Sequence, residues 1–194
     1  MKLPVYLAAA IGGIGLLSLL QPIEEVLMKL VPMPRFLEST FETIGNPNDF
    51  LGSILLAVLV APAVEEILFR GLILQGFVRN YGTVHGLMLS SLLFGIVHLN
   101  PYQFVAGFIL GLFIGLLFIK TGSILPGLLV HGFYNGALIG ANSVLQATMN
   151  QIANDGVVAA VELFMGAVLT GFGLLLLLRA TRQLPRRASV HSTE

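Results

Sequence analysis

Residues Ala61 to Gly71 read A-P-A-V-E-E-I-L-F-R-G, and they place Glu65, Glu66 and Arg70 inside an apolar run that begins near Leu51. A charge at bilayer depth costs roughly 2.5–3.5 kcal/mol on insertion scales, so charged residues there mark a functional site with a nearby partner. Helix geometry sorts them. Glu66 and Arg70 lie four residues apart with the glutamate on the N-terminal side, so they share a face and can pair. Glu65 points about 100° away from Glu66 around the helix and has no intrahelical partner. A carboxyl without a partner and shielded from water is the kind of group that serves as general base or acid. Glu65 is therefore the expected reactive carboxylate, with Glu66 and Arg70 as the supporting pair. The plainer alternative is an ion pair plus one glutamate reaching for the headgroups at a helix end. Against it, 14 residues of the run precede Glu65.

Few other ionisable groups lie in apolar segments. His98 ends one such segment, with Phe94 one turn before it on the same face. His131 lies in another, with Asn135 four residues on and on the same face. A single histidine in an apolar helix is most often a packed or interfacial residue. Three helices that each offer polar groups change the balance, because a bundle in lipid gathers such groups together. Glu65, His98, His131 and Asn135 would then share one polar pocket. That set suits hydrolysis of a peptide bond by water: a carboxylate takes the proton, an imidazole orients the water, and a His–Asn pair donates to a developing oxyanion.

Composition decides the medium in which this would happen. The chain has 194 residues, 56% hydrophobic and 10% charged, with a mean hydropathy of +0.90. A soluble domain is about 25% charged, so this is an integral membrane protein. Ten basic and ten acidic residues cancel, which offers no basic surface for nucleic acid. There is no cysteine, so disulfides, thiol catalysis and thiolate metal sites are excluded.

The elements that must carry the polar residues follow from hydropathy. Apolar stretches at about 3–21, 51–79, 84–99, 102–119, 123–142 and 157–178 predict an all-α, polytopic membrane helix bundle of about six spans. The first lacks a convincing cleavage site and reads as an anchor. Residues 22–50 differ: apolar positions at 23, 26, 27 and 30 predict an amphipathic helix in the interface, broken by Pro32 and Pro34, with a solvated loop as the equal alternative. A loop then leads to Asn46-Pro47-Asn48. The 51–79 segment exceeds what a ~30 Å hydrocarbon core needs, so it must tilt, kink near Pro62 or emerge into water. Gly107, Gly111 and Gly115 recur at four-residue spacing and would let another helix approach closely. His85, beside Gly82-Thr83, is expected at an interface. The chain divides into an N-terminal anchor and loop (1–50), a core carrying the polar residues (51–142), and a last span with a basic tail (143–194). With both termini cytoplasmic, the inner side holds Lys2, Arg79, Lys120, Arg179, Arg182, Arg186 and Arg187. The outer side keeps Lys29 and Arg35, which satisfies the positive-inside rule.

Three short motifs now stand in order: Glu65-Glu66-Ile67-Leu68-Phe69-Arg70, Phe94-Gly95-Ile96-Val97-His98 and His131-Gly132-Phe133-Tyr134-Asn135. They match E-E-x-x-x-R, F-x-x-x-H and H-x-x-x-N. In this the chain resembles the CPBP family, the CaaX proteases and bacteriocin-processing (Abi) proteins, which are intramembrane glutamic endopeptidases. The resemblance covers roughly residues 51–140 and implies that Glu65 with His98 activates water. It implies that His131 and Asn135 form the oxyanion hole, with Glu66, Arg70 and Phe94 in support. The substrate would be a membrane-associated or lipidated peptide, such as a CaaX-type C-terminus or a bacteriocin-like precursor.

Glu65, His98 and His131 could also ligate zinc. The lack of an H-E-x-x-H motif, with the two histidines on separate helices, favours chemistry without a metal. Two other functions use the same polar pocket: a proton-coupled transporter, and a non-catalytic immunity or scaffold protein. The absence of an internal repeat and the small number of spans weigh against transport. One geometric tension remains in the sequence. His98 falls near the end of its span while Glu65 is mid-span, so convergence requires tilt, a turn at Asn100-Pro101 or shifted boundaries.

Overall fold

The computed structural model describes residues 3–31, 34, 35, 37, 50–141 and 155–182, and among these all regular structure is helical. The loop expected around Asn46-Pro47-Asn48, and Lys2, Arg186 and Arg187 of the charge count, lie outside the described residues. In order, the elements are α1 (Leu3–Leu30), α2 (Phe50–Ile54), a π-helical stretch π1 (Leu55–Val60), α3 (Ala61–Glu66) and a second, π2 (Ile67–Ile73). They continue with α4 (Leu74–Ile96), α5 (Pro101–Thr121), α6 (Leu125–Ala141) and α7 (Asp155–Thr181). Three of these, Leu3–Leu30, Pro101–Thr121 and Gly156–Thr181, are long and apolar enough by themselves to cross a membrane. The protein is thus an all-α, multi-pass bundle with at least three such helices.

The first correction concerns the N-terminal region. The expected anchor at 3–21 and the separate interfacial helix after it are one helix, α1, which runs through Pro22 to Leu30. Proline removes one backbone donor and crowds the preceding turn, yet Pro22 is buried within the helix. In an apolar medium no water competes for the freed groups, and neighbouring helices help to satisfy them.

Helices α1 and α7 pack along each other, and α1 also touches α5 and α6. Close approach depends on small residues. A Cβ on Gly15 would stand 2.4 Å from the Thr170 backbone nitrogen, and one on Gly173 would stand 2.6 Å from that of Gly12. Val5, Ala8, Leu16 and Leu20 of α1 join Leu110, Phe113, Ile114, Leu117, Val130 and Tyr134 in the buried core.

The glycine stripe of α5 faces α4. A Cβ at Gly107 would lie 3.3 Å from the Gly95 Cα, and one at Gly111 would lie 3.3 Å from both Phe94 and Ser91. Helix α5 is capped at both ends. The Asn100 side chain accepts from the Gln103 N–H at 2.9 Å and Pro101 opens the first turn. Gly122 closes the helix at φ 67°, where a side chain would be strained. The other sharp bend is at Gly82 (φ 78°, ψ 170°), which separates the two expected segments at 51–79 and 84–99. His85 lies exposed just beyond it.

Candidate active site

The first motif occupies α3 and the start of π2. Both flanking stretches, π1 and π2, are π-helical, a form that usually appears as a single wide turn near functional sites. They frame the helical segment that carries both glutamates. Pro62 sits in the first turn of α3, where its missing N–H costs least.

Glu66 and Arg70 are almost completely buried, with Glu66 Oε2 3.1 Å from Arg70 Nε. The Glu66 oxygen makes no aligned hydrogen bond there, so the pair is held by charge more than by direction. Arg70 also donates from Nη2 to the Gly111 carbonyl at 3.4 Å. Its guanidinium lies 4.5 Å from the centre of the Phe94 ring, a cation–π contact. The arginine therefore ties the first motif to α4 and α5 together.

His131 comes from α6 and meets both glutamates. Its Nδ1 lies 2.9 Å from Glu66 Oε1, and its Nε2 lies 3.7 Å from Glu65 Oε2. A carboxylate can only accept, so Nδ1 carries the proton toward Glu66. The longer separation from Glu65 exceeds a hydrogen bond. The two glutamates differ sharply in access: the Glu65 side chain is 31% exposed and that of Glu66 is 0% exposed. Glycine at position 127 keeps α6 close, since a Cβ there would meet Ile114 at 2.4 Å and Glu66 Oε2 at 3.4 Å.

His98 reaches the same region by a turn. Helix α4 ends at Ile96, the His98 N–H bonds back to the Gly95 carbonyl at 3.3 Å, and Leu99 takes a left-handed φ of 56°. For a leucine that conformation is unusual and costs of order 1–3 kcal/mol. The turn brings the His98 ring edge-on to Phe94, with centroids 5.3 Å apart. His98 Nδ1 donates to the Phe94 carbonyl at 2.8 Å, which leaves Nε2 as an acceptor in the neutral ring. The chain thus turns after Ile96, just ahead of Asn100-Pro101.

Phe94 is the hub. Its ring is met by His98, by His131 at 5.6 Å, by Phe69 at 4.9 Å and by Arg70. Glu65, Glu66, Arg70, Phe94, His98 and His131 thus belong to one cluster. Among the described residues, no direct bond joins Glu65 to His98, which meets the cluster through the Phe94 ring. Asn135 is one turn beyond His131, and its Nδ2 donates to the Ala57 carbonyl in π1 at 2.9 Å. The second amide hydrogen is not used by that bond.

The donor geometry also tests the zinc option. Among the described residues, no group of three His, Cys, Asp or Glu side chains is arranged to hold a metal ion. Both histidines turn Nδ1 to other partners, Glu66 and the Phe94 carbonyl, so Nε2 is the nitrogen each has left for water, substrate or another ligand.

Sequence reasoning missed three participants: the bond from His131 to Glu66, the Ala57 carbonyl and the Gly111 carbonyl. Backbone carbonyls carry no residue-type signal, and the Arg70 partnership had already accounted for Glu66.

Residues 47–137 match the family model described as Type II CAAX prenyl endopeptidase Rce1-like. The matched segment contains all three motifs and every residue of the cluster above. No curated protein and no solved structure gives a significant match. Over residues 47–137 the chain is similar to this Rce1-like CaaX prenyl endopeptidase family, a likeness that points to hydrolase activity of the protease type.

Proposed function

We propose that this protein is an intramembrane endopeptidase that cleaves a membrane-associated or lipidated peptide, with Glu65 as the general base. The observation that carries the reading is the placement of His131 between Glu65 and Glu66. In the proposed reaction Glu65 takes a proton from water while the oxygen attacks the scissile carbonyl carbon. The C–N bond then breaks, and the proton passes to the departing amine. His98, with Nδ1 held by the Phe94 carbonyl, offers Nε2 to orient the water.

His131 and Asn135 would receive the negative charge that develops on the carbonyl oxygen. With Nδ1–H turned to Glu66, Nε2 of His131 carries a proton only in the imidazolium form, the form that donates to an oxyanion. Asn135 keeps one amide hydrogen free for the same purpose. Glu66 and Arg70 hold this assembly in place without contact with substrate.

The partial exposure of Glu65, among exposed Val64, Ile67 and Leu68, supports access for an apolar peptide from the side of the bundle. We infer a prenylated or otherwise hydrophobic substrate on that ground. The test uses purified protein in detergent with prenylated and unprenylated peptides, each with and without chelator. Glu65→Gln and His98→Ala should abolish cleavage while leaving the thermal unfolding of the protein unchanged. Full activity in both variants would overturn the reading, and activity lost on chelation would overturn the metal-free mechanism.

A further inference from the structure

We propose that Glu24 and Tyr134 form a positioning contact through which α1 sets the register of α6, and with it the place of His131 between the glutamates. The proposal rests on the endopeptidase reading for its catalytic consequence.

Tyr134 lies between His131 and Asn135 in sequence, and it is 4% exposed within the apolar core. A buried phenol requires a hydrogen-bond partner. Its hydroxyl donates to Glu24 Oε1 at 3.0 Å, across 110 residues of chain. Glu24, in turn, is a half-buried carboxylate in the C-terminal part of α1, two residues after the buried Pro22. A carboxylate so placed needs a donor, and the phenol supplies one. Tyr134 fills a variable position of the third motif, and Glu24 lies outside the family-matched segment.

The contact matters because of what else holds α6. His131 and Asn135 turn toward α3 and π1, where Asn135 donates to the Ala57 carbonyl at 2.9 Å. Tyr134 turns the other way, toward α1. The helix is therefore pinned at nearly one level from two sides. Apolar contacts such as Gly13 against Val130 tolerate small slides. Hydrogen bonds are directional and weaken steeply with misalignment, so the two polar pins fix the height of the helix. A second tie holds the same end of α1: the Tyr102 hydroxyl donates to the Val31 carbonyl. Loss of the Glu24–Tyr134 bond would let α6 shift while the core stays packed. A misplacement near 1 Å in a catalytic group can cost up to about 10²-fold in rate.

The test compares Tyr134→Phe, Glu24→Leu and Glu24→Gln in the full chain. Gln retains an acceptor oxygen for the phenol; Leu does not. Two readouts are taken, the kcat and KM for peptide cleavage and the imidazole nitrogen NMR signals of His131. We expect Tyr134→Phe and Glu24→Leu to lower kcat about 10- to 100-fold with KM nearly unchanged and a modest fall in unfolding temperature. The double variant should be no worse than either single one, and Glu24→Gln should restore most of the rate. The His131 signals should move in Glu24→Leu, a change on a different helix, and return in Glu24→Gln. Unchanged His131 signals in Glu24→Leu would overturn the proposal whatever the rates. If Glu65→Gln retains full cleavage in the same assay, the endopeptidase reading fails, and the His131 signals alone decide the positioning contact.

Discussion

At the level of single residues, Arg70 shows most clearly how the site is held. Its guanidinium is buried with Glu66, a backbone carbonyl and an aromatic face as its surroundings. Removing one partner of a buried pair costs about 3–5 kcal/mol, because the other charge is stranded. Arg70→Met should therefore lower the unfolding temperature in detergent markedly, whereas Glu65→Gln should not. Thermal unfolding of the two variants side by side checks this. The pair itself was legible in the i, i+4 spacing. The second partner of Glu66 was not, because spacing within one helix says nothing about which imidazole arrives from another. For the same reason Phe94 was given a supporting place from its motif position. Its part as the shared surface for two histidines and an arginine needed three helices to be seen together.

At the level of elements, the interface between α4 and α5 positions the second motif. Gly95 lies directly against α5, and a Cβ there would stand 2.6 Å from the Phe104 carbonyl oxygen and 3.2 Å from the Phe108 nitrogen. Those are backbone atoms, which cannot swing aside as a side-chain tip can. Gly95→Ala should cost about 1–3 kcal/mol of overpacking strain and should also displace Phe94 and His98, its near neighbours. Cleavage should fall more than stability does, as paired activity and unfolding measurements would reveal. The contribution of the α5 glycines to close approach was visible in their spacing. The π-helical stretches were not, since apolar residues in π1 and in an α-helix look alike by hydropathy. The join between the first span and the helix after it was not legible either, since the sequence was divided at residue 21 where its composition turns polar and α1 continues through Pro22.

At the level of the whole molecule, the family-matched segment does not stand alone. Val5, Ala8, Leu16 and Leu20 of α1 are completely or almost completely buried against α5, α6 and α7. Between helices in lipid, this packing rather than the hydrophobic effect supplies cohesion. Deleting residues 1–30 should therefore yield protein that aggregates on extraction, which size-exclusion chromatography would detect. The motif segment was readable because chemistry concentrates in few residue types there. The contribution of α1 was hidden, since its residues are ordinary apolar ones whose partners lie on helices far along the chain.

The unequal shielding of the two neighbouring glutamates has a practical consequence for reagents. A lipid-soluble carbodiimide, which condenses with protonated carboxyls, should find Glu65 from the surrounding hydrocarbon and be kept from Glu66 by the helices around it. Mass spectrometry of the adducts should then report modification at Glu65 well ahead of Glu66, in step with inactivation. Equal labelling at both positions would mean that the inner carboxyl is not sealed off.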